Sequence, residues 1–74
     1  MKDLKEKLEK EGIEVKWELF LDGGYEDDFY LKVNNKIDIF EGAYQKWDTY
    51  IEEGYKEKSF MNDEDLISYI KDES

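Results

Sequence analysis

The side chains able to do chemistry in this chain are its carboxylates. Asp and Glu number 21 against 11 lysines, and the 74 residues include no His, Cys or Arg. Without imidazole or thiol there is no catalytic triad, no thiolate nucleophile and no base that titrates near neutrality. Disulfides and the usual zinc sites are excluded for the same reason, and no guanidinium is present to clamp a phosphate. Carboxylates could still serve as paired acid and base. Glu26-Asp27-Asp28 and Asp63-Glu64-Asp65 meet that need only by count, because so short a chain offers little cleft in which to desolvate them. No enzymatic activity and no cofactor are expected. The oxygen-rich stretch Asp22 to Asp28 lacks the alternate ligands and twelfth-position Glu of a calcium loop, so no metal site is expected. Gly23-Gly24 has no dinucleotide or P-loop spacing and reads as a turn.

Binding is the other use of carboxylates. The formal net charge is −10. Up to Glu11, Lys2, Lys5, Lys7 and Lys10 cancel Asp3, Glu6, Glu9 and Glu11, so the excess lies in Gly12 to Ser74, with 17 acids against seven Lys. Such a field repels nucleic acid and anionic membranes and speeds encounters with cationic partners, although acidity also simply keeps a small domain soluble. Three sites are expected to gather exposed acids: a first hairpin loop (Asp22, Glu26, Asp27, Asp28), the third strand (Asp38, Glu41) and the start of the last helix (Asp63, Glu64, Asp65). Alternate strand positions lie about 6.6 Å apart, and each DNA strand carries a charge every ~3.4 Å. Rows of carboxylates can therefore imitate a phosphate line. The acids at the helix start also suit its dipole without any partner.

The elements that hold these groups follow from periodicity. Asp3 is expected to cap a short helix with Leu4 and Leu8 inward, stopped by Gly12. Ile13, Val15, Trp17, Leu19 and Leu21 alternate with polar residues as a half-buried strand. A second strand, Phe29 to Val33, and a third, about Ile37 to Glu41, continue an antiparallel meander. Matching Val33 to Ile37 gives a three-residue loop, Asn34 to Lys36. Matching Leu21 to Phe29 gives a seven-residue loop, Asp22 to Asp28. That register sets Glu18, Lys32 and Asp38 in one outer row and Phe20, Tyr30 and Phe40 in another.

After Gly42 the spacing of Ala43, Tyr44, Trp47, Tyr50 and Ile51 suggests a helix ended by Gly54. Tyr55 to Met61 reads as loop or short extension, and Asn62 caps a last helix running to about Lys71. The expected fold class is α+β: a three-stranded antiparallel meander with helices on one face, order αβββαα, in a single domain over residues 1–74. Aromatic residues make up 16% of the chain, enough to build a core despite 43% charge. No run suits a signal peptide or a membrane helix, so a soluble cytoplasmic protein is expected.

Element order, size and acidity together resemble the small phage proteins that inhibit type II-A CRISPR nucleases by mimicking DNA. The local likeness lies in Leu31-Lys32-Val33-Asn34-Asn35, the aromatic helix expected around Trp47, and Asn62-Asp63-Glu64-Asp65 opening a helix that carries Tyr69. The resemblance implies a protein acting in the cytoplasm of a host bacterium, with carboxylates presented where the nuclease reads its protospacer-adjacent motif. By that resemblance Asn35, Asp38, Asp63, Glu64 and Asp65 make the contacts. This chain departs from the family at the second hairpin, where the turn is shorter and carries Lys36.

The expected partner is thus a basic nucleic-acid-binding protein, foremost a type II CRISPR nuclease, met by a monomer or homodimer that binds neither nucleic acid nor membrane itself. Two further readings stand beside it. One is an immunity protein neutralising a basic nuclease toxin. The other is a small adaptor that binds through the Phe20/Tyr30/Phe40 face, unless the chain's own C-terminal segment or a second copy covers that face.

Overall fold

Alternation of apolar and polar residues governs more of this chain than its sequence first suggests. The computed structural model describes residues 1–20, 28–42 and 44–73, with Phe20 and Asp28 entering through their backbone. A helix, α1 (Lys2–Lys10), leads into β1 (Val15–Phe20), β2 (Asp28–Val33), β3 (Ile37–Glu41), β4 (Trp47–Ile51) and β5 (Lys56–Phe60), and α2 (Asp63–Glu73) closes the chain. The five strands form one antiparallel sheet in the order β1-β2-β3-β4-β5. The fold is therefore αβββββα, and the expected order αβββαα with a three-stranded sheet is wrong.

The error lies after Gly42. Trp47-Asp48-Thr49-Tyr50-Ile51 fits a helical stripe if Trp47, Tyr50 and Ile51 are counted as apolar and Thr49 as polar. In the fold, Trp47, Thr49 and Ile51 are the buried positions, at strand spacing. The Thr49 hydroxyl donates to the Lys58 carbonyl at 2.9 Å, which allows a polar side chain to sit in the core. Trp, Thr, Tyr and Ile all favour strands. Gly54 (φ 87°) does supply a left-handed residue, but for the Glu52–Tyr55 hairpin loop, alongside Tyr55 (φ 52°). The ambiguous stretch after it is β5.

The β2–β3 hairpin is as expected. Val33 faces Ile37, and Asn34 and Asn35 adopt left-handed φ of 53° and 54°, which Asn tolerates better than most residues. The β1–β2 register is not as expected. Leu19, not Leu21, faces Phe29, a slip of two residues that keeps every side chain on its face. The outer pairs change with it: Lys16 faces Lys32, Glu18 faces Tyr30, and Phe20 faces Asp28. Phe20 therefore does not share a cross-strand row with Tyr30 and Phe40.

Both helices pack on one face of the sheet. Leu4 and Leu8 of α1 and Leu66 and Ile70 of α2 are fully buried against Leu31, Val33, Ile37 and Ile39. Each such side chain contributes about 1.5–3 kcal/mol by burial. Helix α1 begins at Met1 without a side-chain cap, so Asp3 sits in the first turn and is not the cap. Gly12 (φ 77°) ends it as expected. Helix α2 has the expected cap, with the Asp65 N–H donating to Asn62 Oδ1 at 2.9 Å. No described helix is long and apolar enough to cross a membrane.

Candidate protein-binding face

Because both helices take one side of the sheet, the described even-numbered side chains of β1–β4 and the odd-numbered ones of β5 point to the other. Two cross-strand rows follow from the pairing. Lys16, Lys32, Asp38, Tyr50 and Glu57 form the first, and Glu18, Tyr30, Phe40, Asp48 and Ser59 the second. The half-buried rings of Tyr30 and Phe40 stack with centroids 4.8 Å apart and planes 24° apart. An aromatic centre thus lies between Glu18 on one side and Asp48 on the other. Asp48 Oδ1 accepts the Ser59 hydroxyl at 2.6 Å, which fixes that carboxylate at the rim.

Asp38 is a partly shielded acid on this face. Its Oδ1 accepts no hydrogen bond and lies 3.4 Å from Lys32 Nζ, an ion pair with both groups partly shielded. Burial pushes its pKa above the ordinary 3.8, the Lys32 charge offsets part of that, and the charges of Glu52 and Glu18 add to the rise. Glu52 and Glu53, in the β4–β5 loop, join Asn35, Lys32, Lys36 and Asp38 around an open cleft of about 440 Å³. The face and this loop cleft are continuous through Asp38.

The remaining sequence-derived candidates divide sharply. Glu41 lies three residues from Asp38 on β3 and therefore points to the opposite face. There it pairs with the Met1 amino group at 3.7 Å, so Asp38 and Glu41 do not form one cluster. Asp63 is not a surface group. It is buried, and its carboxylate accepts from Trp47 Nε1 at 2.7 Å and Lys7 Nζ at 2.7 Å, with Lys46 Nζ at 3.0 Å. Burial alone would raise its pKa, but the bonds from Lys7, Trp47 and Lys46 outweigh that and hold the carboxyl below the ordinary 3.8. Asp63 ties α1, β4 and α2 together. Glu64 and Asp65 are exposed, and Asp65 also accepts from Asn62 Nδ2 at 3.2 Å. Asp22, Glu26, Asp27 and the Gly23-Gly24 turn lie outside the described residues, as do the side chains of Asp28 and Phe20.

Asp48, Tyr50, Glu52, Glu53 and Glu57 were missed in the sequence because their segment was read as helix and loop. The alternation Trp47/Thr49/Ile51 was the signal that would have placed them. Among the described residues no group of three Asp or Glu is arranged to hold a metal ion. No family model, no curated protein and no solved structure matches this chain.

Proposed function

We propose that this protein binds the basic groove of a nucleic-acid-binding partner and excludes nucleic acid from it. The supporting observation is the helix-free face, where Asp38, Asp48 and Glu57 surround Tyr50 and continue into Glu52 and Glu53. Diagonal neighbours across two strands, such as Asp38 and Asp48, have Cα atoms about 7–8 Å apart, close to two phosphate steps of ~3.4 Å. A stiff sheet holds that spacing without the ordering cost a flexible acidic tail would meet. The resemblance to anti-CRISPR proteins makes an RNA-guided nuclease the first target to test. The αβββαα architecture behind that likeness is not this chain's, so charge placement carries the reading.

The test is competition with duplex DNA for a purified RNA-guided nuclease at two salt concentrations. Inhibition should weaken as salt rises. The variant D48N/E52Q/E53Q, altered at half-buried Asp48 and exposed Glu52 and Glu53, should lose about tenfold in potency. Unchanged potency in that variant, or no competition at all, would sink the proposal. A second reading rests on the Tyr30–Phe40 stack, which would anchor a partner by apolar contact. In that case Y30T/F40T abolishes binding while the amide variant retains it.

A further inference from the structure

The structure points to a second surface, and we propose that the free edge of β1 pairs with the β1 of a second copy to form an antiparallel dimer. Strand β1 pairs with β2 alone among the described residues. The Asn34 N–H donates to the Glu14 carbonyl at 2.9 Å. In an antiparallel ladder, hydrogen-bonded and non-bonded pairs alternate, so Lys16 and Glu18 also direct their backbone groups to β2. The N–H and C=O groups of Val15, Trp17 and Leu19 then point to the open edge.

Their side chains lie on the helix-bearing face but beyond its cover. Trp17 is 43% exposed, Leu19 45% and the neighbouring Phe29 56%. Trp17 and Phe29 meet edge to face at 6.3 Å. An open edge beside an exposed apolar patch is a template for strand addition.

Charge selects both the occupant and the register. Backbone parity allows a two-fold axis through residue 16, 17 or 18. Centring on Lys16 opposes Lys to Lys and Glu14 to Glu18, and centring on Glu18 opposes Glu to Glu. Like charges directly opposite destabilise a pair. Centring on Trp17 opposes Lys16 to Glu18 twice by symmetry, places Trp17 against Trp17, and sets Val15 against Leu19. Every cross-strand pair from 15 to 19 is then favourable. In the single chain Lys16 and Glu18 form an ion pair at 3.7 Å along the strand. Paired residues share a face, so the two Tyr30/Phe40 faces would lie on one side of a ten-stranded sheet.

Sedimentation at about 200 µM should show a dimer that dissociates on dilution. E18K should weaken association about tenfold, because one substitution creates two Lys–Lys pairs, and K16E/E18K should restore it. The register has an independent check, since the chain has no cysteine of its own. Residues 16 and 18 of opposite strands would lie with Cα atoms ~4.5 Å apart, within disulfide reach. A mixture of K16C and E18C proteins should cross-link on oxidation, and either alone should not. A monomer at the higher concentration, or cross-linking that ignores the pairing, overturns the proposal.

Discussion

The two ends of the sheet each carry a tryptophan, and the two are treated in opposite ways. At the β4–β5 end Trp47 is 5% exposed and its indole N–H is spent on buried Asp63. At the β1 end Trp17 is 43% exposed and rests against Phe29. The outer strands differ likewise. Lys56, Glu57, Lys58 and Ser59 keep β5 exposed and charged, and Lys58 lies over Phe60 and Tyr69 with Nζ 5.8 and 5.2 Å from the ring centroids. Charged edges resist strand addition. Strand β1 presents Val15, Trp17 and Leu19 with no such guard on that face. The same element, an edge strand, is closed off at one end and left available at the other. One end holds the fold together, and the other has surface to offer.

That contrast can be broken most forcefully at the tryptophans. Trp47→Ala should cost about 3–5 kcal/mol of stability in denaturant unfolding, through lost burial and the loss of one of the three donors to Asp63. Trp17→Ala, measured on dilute monomer, should cost under ~1 kcal/mol. Equal losses would erase the distinction between the ends. Asp63→Ala should cost about 2–3 kcal/mol, because the Trp47 N–H is left buried without an acceptor while Lys7 and Lys46 turn to water.

Acid sharpens the same point. The folded-state pKa of Asp63 lies below the unfolded value, so its contribution is complete above ordinary Asp titration and fades as pH falls below 3.8. Urea midpoints should therefore drop on acidification more in wild type than in Asp63→Ala. Among the core substitutions the smallest expected effect is Thr49→Val, about 1 kcal/mol, since shape is kept and only the bond to Lys58 is lost.

The legible parts of the sequence were those where one period was unopposed. Ile37/Ile39 and Leu31/Val33 alternate cleanly, so β3, the Asn-Asn loop and the Asn62 cap are placed to the residue, and β2 to within one residue at its start. Trp47 to Ile51 supports two periods at once, and burial of Thr49 decided between them. That choice depends on a hydroxyl finding the carbonyl of Lys58 nine residues on, which no local pattern reveals. The β1–β2 slip has a similar origin. Shifting by two preserves every inside-outside assignment, so hydropathy cannot detect it. Asp38 lies on β3 and Asn35 in the β2–β3 loop as the spacing predicts, whereas Asp63, expected as a contact group, is buried. Its helix-start position was legible, whereas its three donors come from Lys7, Lys46 and Trp47, distant in sequence and brought together only by the fold.

The Lys7–Asp63 bond spans 56 positions of a 74-residue chain. Lys71 meets Glu11 at 2.7 Å over a comparable span. Every strand, by contrast, pairs with its immediate neighbour along the chain. The hairpins can thus form by short closures, whereas joining the first helix to the last must wait until the meander exists. Removing the Asp63 carboxylate should then act chiefly on how fast the finished molecule comes apart, leaving the rate at which it assembles nearly untouched. The latch between the chain's two ends is in this sense a timer on the native state, set after the sheet has formed.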